Sequence, residues 1–449
     1  MAGSAPSAHA HWSSRFAFIM AAVGSAVGLG NLWGFPFRTG ANGGSAFVLV
    51  YIACVVFIAF PVLMAELSIG RHAQKSAVSS TRNMAREAGK SGNWSIVGWI
   101  GMIAGFLILT TYSVIAGQVM AFSAAGFAGG FGQDEMPFMG SNSWSMFWHF
   151  AFMFITVLVV SRGLKGGIER VVTILMPLFF ILLAALTVYA LITGEAGQAF
   201  AYLFQPDFSQ IDGGVFVSAL GQAFFSVGVA SAIMVTYGSY LNKDANIASS
   251  SVIICTADTL VALVAGLMIF PIVFSFGLDP AVGFNLIFEA IPNVFVDMPF
   301  GNIIGGAFFF LAFIAALTSS ISLLEATVAF VEEHSDFGRM QAALLFGGFA
   351  FLIGAGAVYS QEFAANFIDL ISNSILLPLG GFLVAVFAGW VVPKSLMREE
   401  LSHASGAMFG FFHIMIRYIV PIAVGLILIL GLDSNFFGGR LNALLGIGG

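Results

Sequence analysis

Eleven apolar runs, each long enough to cross a bilayer, constrain this chain more than any other feature. They occupy 13–37, 43–70, 92–126, 145–161, 167–193, 215–241, 248–277, 299–331, 338–358, 363–392 and 407–432. A helix crosses the hydrocarbon core with about 20 apolar residues, so the longer runs are expected to tilt or project beyond it. Backbone groups in lipid must be paired within the protein, which predicts an all-α polytopic bundle. Composition agrees: 59% of the 449 residues are hydrophobic and 8% are charged, against about 25% charged in soluble proteins. The connections set an orientation. Arg71, Lys75, Arg82, Arg86 and Lys90 follow the second run; Arg162, Lys165 and Arg170 lie at the fourth-to-fifth connection; Lys394 and Arg398 precede the eleventh. The alternate connections carry Asp134 and Glu135, then Glu195, Asp207 and Asp212, then Asp279, Glu289 and Asp297. Positive-inside bias predicts a multi-pass plasma-membrane protein with a cytoplasmic N-terminus, and eleven crossings put the C-terminal tail outside. The N-terminus MAGSAPSAHAHWSSR lacks a signal-peptide pattern, so no cleavage is expected. Cys54 and Cys255 sit in apolar runs and read as small core residues rather than a disulfide pair. No basic patch suits nucleic acid, and composition does not fix an oligomeric state.

The first run is interrupted by GSAVGLGNLWGFP, Gly24 to Pro36. Glycine costs about 1 kcal/mol and proline about 3 kcal/mol inside a helix. A helix in lipid breaks only where its freed backbone groups face protein, an ion or water. Gly24 and Gly28 also form a small-xxx-small pair that suits close packing. The sixth run is interrupted too, around Phe224–Ala232. Interrupted helices at corresponding places in two halves point to a transporter's binding site, and halves of five helices each must insert with opposite topology. The expected organisation is a cytoplasmic tail (1–12), a first inverted-repeat half (13–193), an extracellular loop (194–214), a second half (215–392), a cytoplasmic loop with an eleventh helix (393–432) and an extracellular tail (433–449). Residues 278–298 read either as a helical lid or as an interfacial loop.

Four carboxylates lie within runs: Glu66, Asp258, Glu325 and Asp369. A charge at mid-bilayer costs at least about 2.5–3.5 kcal/mol. Each could serve as an interhelical hydrogen-bond partner; clustered without an embedded Arg or Lys, they would attract cations. The hydroxyls of Thr318, Ser319 and Ser320 have two readings as well. They hydrogen-bond back to their own helix, or they join freed carbonyls as oxygen ligands to a hard cation. Enzymatic signatures are missing: there is no HExxH, no zinc spacing and no Gly-x-Ser-x-Gly elbow. Most histidines (His9, His11, His72, His334, His403) fall in loops or at run ends.

GSAVGLGNLWGFP followed by Asn42-Gly43-Gly44, the stretch GQAFFS…TYGSY (Gly221–Tyr240) and LTSSIS in the eighth run closely resemble the neurotransmitter:sodium symporter family. The resemblance extends from Trp12 to about Pro421. It implies the leucine-transporter fold, with helices 1 and 6 unwound at mid-membrane, and the eleven spans of a bacterial subset rather than the usual twelve. By the same resemblance, one sodium site uses the Ala26 carbonyl, Asn31, Ser226 and Asp258. The other uses the carbonyls of Gly24, Val27 and Ala315 with the hydroxyls of Thr318 and Ser319. The substrate would lie against Ala26, Gly30, Ile108, Tyr112, Phe225, Ser226, Gly228, Ser231, Ser319 and Leu323. Gating residues would be Trp12, His9, Arg38, Tyr240, Glu325, Glu333, Asp369 and Glu66.

The chain departs from the family pattern at four places. Asp258 stands where the leucine transporter has Asn, which predicts chloride-independent uptake because a fixed carboxylate can supply the balancing charge. Gly34 stands where an external gate arginine is expected; Arg38, four residues on, is the candidate substitute opposite Asp369. His9 replaces the internal gate arginine, facing Glu333, Tyr240 and Glu325, and histidine titrates near neutrality. Small residues, Gly228 and Ser231, floor the pocket and leave room for a large side chain. The implied function is sodium-coupled import of a neutral amino acid, large and apolar or aromatic, by alternating access. The alternatives are the same fold carrying an osmolyte or amine-like solute such as betaine or taurine, or a non-transporting sensor or channel.

Overall fold

A computed structural model describes residues 10–131, 141–280, 288 and 291–441. Among these residues the secondary structure is helical throughout. Among the described residues nine helices are long and apolar enough to cross a membrane: α3 (Ser45–Ala73), α5 (Gly92–Phe127), α6 (Asn142–Ser161), α7 (Leu164–Thr193), α11 (Ile247–Ser275), α13 (Gly301–His334), α14 (Arg339–Tyr359), α15 (Gln361–Val391) and α17 (Gly406–Phe436). A tenth crossing is the pair α1 (Arg15–Ala26) and α2 (Gly30–Ala41), bent by 49°. Two further pieces, α9 (Gly213–Val227) and α10 (Ile233–Ser239), lie end to end around residues 228–232. Shorter helices connect them: α4 (Ala77–Glu87), α8 (Ala196–Phe204), α12 (Ile291–Asp297) and α16 (Lys394–Glu400). Of the 278–298 segment, read above as lid or loop, residues 281–287, 289 and 290 lie outside the described residues; α12 is its helical part.

Both interruptions follow from local chemistry. Ser14 starts α1 by accepting the Ala17 N–H, and the helix stops where Val27 turns extended (φ −70°, ψ 105°). The Gly28 N–H then goes to the Asn31 side chain, and the Leu29 N–H to the Tyr112 hydroxyl. Those donors would otherwise tie the Gly24 and Ser25 carbonyls in an i to i−4 ladder. Asp212 caps α9 through the Val215 N–H, and Gly228 ends it in the left-handed region (φ 70°). Ala230 (φ 68°) and Ala232 (φ 61°) also sit there, at a cost of about 1–2 kcal/mol per non-glycine residue. Surroundings compensate. The Glu66 side chain, fully buried on α3, accepts the Ala230 N–H at 2.8 Å, a bond that contributes about 0.5–1.5 kcal/mol. Gly101 and Gly105 let α5 press against the same break: a Cβ on either would stand 2.9 Å from the Ala232 nitrogen or 2.8 Å from the Ser231 oxygen.

Helix α13 is buried along most of its length and packs on α5, α1 and α7, whereas α17 lies at the periphery. The two breaks therefore face each other across the centre of the bundle, with α13 and α5 as the fixed walls.

Candidate ion and substrate site

The first feature between the breaks is a closed cluster of four side chains. Asp258 projects from α11, Asn31 from the start of α2, Ser226 from the end of α9 and Tyr51 from α3; none is more than 1% exposed. One carboxylate oxygen of Asp258 accepts the Asn31 amide at 2.7 Å. The other accepts the Ser226 hydroxyl at 2.8 Å and the Tyr51 hydroxyl at 3.3 Å. Three donors thus converge on one fixed anion, which is how a buried carboxylate becomes tolerable. The Asn31 oxygen faces away and accepts the Gly28 N–H at 3.0 Å. Among the described residues no three His, Cys, Asp or Glu side chains gather as a metal centre. The oxygens here are hydroxyl, amide, carboxylate and backbone carbonyl, ligands that suit a hard monovalent or divalent cation.

A second oxygen-rich contact joins α1 to α13. The Thr318 hydroxyl donates to the carbonyls of Ile314 and Ala315, each at 3.1 Å. The Ser319 hydroxyl donates to the Ala315 carbonyl at 3.1 Å and, across the interface, to the Ser25 carbonyl at 3.3 Å. The hydroxyls bond back to their own helix, and Ser319 also donates across to the broken one. Gly24 and Gly28 allow the approach. A Cβ on Gly24 would stand 3.2 Å from the Thr318 Cβ, and one on Gly28 would stand 2.9 Å from the Ser319 Oγ.

A cavity of about 60 Å³ separates the two clusters. Of the ten residues expected against the substrate, Ala26, Gly30, Ile108, Tyr112, Phe225, Gly228, Ser231, Ser319 and Leu323 line it. Ser226 does not; its hydroxyl is turned into the Asp258 cluster. Phe224 and Leu377 complete the wall. The lining is apolar except for backbone and the hydroxyls of Tyr112, Ser25, Ser231 and Ser319, so it suits an apolar body with one polar end. No Lys, Arg, Asp or Glu lines it.

Above this cavity opens a vestibule of about 380 Å³, which shares Gly30, Ile108, Tyr112 and Phe225 with it. Arg38 and Asp369 both line the vestibule without bonding to each other. Asp369 accepts the Thr111 hydroxyl at 3.1 Å. The π-helical turn ends at Gly34; Gly34 has helical backbone and Phe35–Ala41 continues as α-helix, so Arg38 lies one helical turn beyond Gly34. The Gln222 amide fills the space over Gly34, 3.3 Å from where a Cβ would stand, and donates to the Gly30 carbonyl at 2.9 Å.

The opposite end is sealed. Trp12 is 4% exposed. Its indole N–H donates to the Tyr237 carbonyl and its backbone N–H to the Tyr240 carbonyl, both at 3.1 Å. Its ring packs edge-on against both tyrosine rings. Beside it the Tyr240 hydroxyl donates to Glu325 at 2.6 Å. One expectation is corrected here: Glu325 has a membrane-embedded cation, because Arg339 at the start of α14 pairs with it and also donates to the Val160 carbonyl at 2.9 Å. Arg339 begins its run, a place where a long cation normally reaches out to water; the turn between α13 and α14 folds it inward instead. Glu333 is not in this group, for it accepts the Ser76 N–H at 2.7 Å. His9 lies outside the described residues. Sequence reasoning missed Tyr51, Gln222 and Arg339. Tyr51 and Gln222 carried only a weak signal, a polar tip within an apolar run.

The comparisons with known proteins agree with this arrangement. A profile described as "Sodium:neurotransmitter symporter family" matches residues 9–131 and 130–436. An uncharacterized sodium-dependent transporter, YhdH of Bacillus subtilis, is 35% identical over 92% of this chain and 95% of its own length. An uncharacterized sodium-dependent transporter of Haemophilus influenzae is 30% identical over 95% of this chain and 98% of its own. The crystal structure of MhsT in complex with L-phenylalanine superposes with a TM-score of 0.86 at 38% identity, covering 96% of this chain and all of that one. The chain therefore belongs to the sodium:neurotransmitter symporter family and is a multi-pass sodium-dependent transporter, not an enzyme.

Proposed function

We propose that the protein imports a neutral, large apolar or aromatic amino acid together with two sodium ions, from the vestibule side to the Trp12 side. The observation that carries this reading is the apolar cavity between the Asp258 cluster and the α1–α13 hydroxyl contact together with the vestibule of about 380 Å³ that shares its Gly30, Ile108, Tyr112 and Phe225 wall, into which a large side chain would extend. The bound L-phenylalanine of MhsT supports the cargo class. The carboxylate of such a substrate would meet the backbone around Gly28–Gly30 and the Tyr112 hydroxyl. That hydroxyl accepts the Leu29 N–H and keeps its own proton to donate. The side chain would lie toward Phe225, Ile108 and Leu323 over the floor of Gly228 and Ser231.

The first sodium would be held by the Ala26 carbonyl, Asn31, Ser226 and Asp258. Asn31 turns its nitrogen toward Asp258, so its oxygen would have to rotate toward the ion and release the Gly28 N–H. The second would be held by the carbonyls of Gly24, Val27 and Ala315 with Thr318 and Ser319. Transport would be independent of chloride, because the donors of Tyr51, Ser226 and Asn31 already enclose a fixed carboxylate. Basic residues collect at the Trp12 end: the Arg71 connection, the Ser13 contact with Glu169 next to Arg170, and Lys394 to Arg398 on α16. That end would face the cytoplasm, and the vestibule would open outside. In this outward-facing arrangement Glu66 would stabilise the α9–α10 break and Trp12, Tyr240 and Glu325 would close the inner gate. Arg38 and Asp369 would close the outer one, and His9 would contribute at the inner gate; Glu333 would instead hold the Ser76 connection. The direct test is equilibrium binding of radiolabelled L-phenylalanine to purified protein with sodium or with potassium. Sodium-dependent, saturable binding is expected; identical binding in both salts would refute the coupling.

A further inference from the structure

A groove outside the transport pathway combines an apolar wall with two arginines. It has a volume of about 510 Å³ and lies between the end of α6, the start of α7 and the middle of α13. Its walls are apolar: Val159, Ile174, Phe313 and Leu317. Ile174 is 61% exposed, so the wall opens outward rather than into the core. Two arginines, Arg162 and Arg170, line the same groove. Both are exposed, and neither takes part in a salt bridge within the described residues. The nearest acidic group in sequence, Glu169, is occupied by the hydroxyl and N–H of Ser13. Glycines shape the mouth. Gly166 faces open space, and Gly167 brings the turn so close to α6 that a Cβ there would stand 2.0 Å from the Val159 carbonyl.

We propose that this groove is a binding site for one anionic phospholipid, with the phosphate of the headgroup between Arg162 and Arg170 and an acyl chain along Val159, Ile174, Phe313 and Leu317. The pairing of free cations with an apolar trough at one membrane face is the chemistry that selects an anionic lipid over a zwitterionic one. A guanidinium matches a phosphate with paired N–H donors. The Ser13 contact puts the groove at the Trp12 end of the bundle, the same end as the other basic connections, and therefore in the leaflet that Arg162, Lys165 and Arg170 face. A soluble phosphate would satisfy the arginines but leave the apolar trough uncovered, so the occupant is a lipid. This site is independent of the cargo and of sodium.

The test uses full-length protein in nanodiscs of phosphatidylcholine doped with a trace of phosphatidylglycerol or phosphatidylcholine bearing a diazirine in its acyl chain. After irradiation the labelled peptides are mapped by mass spectrometry. Phosphatidylglycerol is expected to label residues 155–175 and 313–317 roughly tenfold more than phosphatidylcholine does. The double substitution Arg162→Ala/Arg170→Ala should abolish that preference, and Arg162→Lys/Arg170→Lys should retain most of it. A monodisperse elution profile and an unchanged thermal midpoint serve as the fold control, and Arg162→Ala alone, expected to lose part of the preference, is the fallback where the double variant fails it. Equal labelling by the two lipids, or a preference unchanged by the alanine variants, would overturn the proposal. Protection of the groove by a second copy of the chain or by another protein would do the same. So would competition of the label by free glycerol phosphate, which would make the site one for a soluble anion.

Discussion

Replacing Asp258 with asparagine keeps the side-chain shape and removes the charge. The carboxylate accepts three bonds, at 2.7 Å from Asn31, 2.8 Å from Ser226 and 3.3 Å from Tyr51. The hydroxyls of Ser226 and Tyr51 can reverse their roles, so the amide can still be satisfied. The loss is the charge-assisted part, about 1 kcal/mol for each bond. A larger effect falls on the ion. A carboxylate about 4 Å from sodium contributes about 4 kcal/mol at an effective dielectric constant of 20, and competition from the retained donors reduces this. The sodium concentration for half-maximal uptake is therefore expected to rise at least about tenfold, equivalent to about 1.4 kcal/mol. The variant should also become chloride-stimulated, because the donors of Tyr51, Ser226 and Asn31 no longer enclose an anion of their own. The assay is radiolabelled amino-acid uptake in proteoliposomes, with sodium titrated in chloride and in gluconate. Wild-type uptake that fails in gluconate, or an Asp258→Asn variant with unchanged sodium dependence, would refute the reasoning.

Four further outcomes follow from the geometry. Gly30→Ala would put a Cβ 2.8 Å from the Phe225 ring; the ring must move into the cavity, and substrate affinity should fall at least about tenfold, roughly 1.4 kcal/mol, with thermal stability little changed. Trp12→Ala removes a buried indole, worth about 3–5 kcal/mol in a packed interior. It should speed maleimide labelling of a Ser322→Cys reporter, which lies under the Tyr237 hydroxyl at 2.6 Å; unchanged labelling would remove Trp12 from the gate. Arg38→Ala should raise the substrate concentration for half-maximal uptake if Arg38 closes against Asp369, and unaltered kinetics would leave Gly34 without a substitute. On α16, burial pushes the Glu400 carboxyl up, but hydrogen bonds and charge from His72 and Arg71 outweigh it and hold the group below its ordinary value of 4.5. The stabilisation is therefore complete above pH 4.5 and is lost as pH falls through the lowered value. Thermal stability should fall as pH drops below 4.5, whereas Glu400→Gln, about 2 kcal/mol less stable at pH 7, should lack that acid step.

The long crossings and the first break were legible because both depend on residue type alone. A run of apolar residues fixes a span, and Gly24, Gly28, Gly30 and Pro36 weaken a helix wherever they stand. The second break was legible only at Gly228. Ala230 and Ala232 adopt left-handed backbone because Glu66, Gly101 and Gly105 hold them there, and nothing in an alanine announces that. Tyr51 looked like one more aromatic in an apolar run; only the convergence of α2, α3, α9 and α11 makes it a partner of Asp258. Arg339 stands at the start of a run, where its position alone does not announce a buried partner; the turn before it directs it toward Glu325. Gly34 was legible as an anomaly, but Gln222 over it was not, since the contact joins residues far apart in the chain.

Uptake of radiolabelled L-phenylalanine into proteoliposomes under an inward sodium gradient tests the central claim most directly. Accumulation is expected to need sodium, to increase with an inside-negative potential and to continue when gluconate replaces chloride. Accumulation of neutral aromatic amino acids that is indifferent to sodium, or no accumulation of them alongside sodium-driven uptake of betaine or taurine, would contradict it.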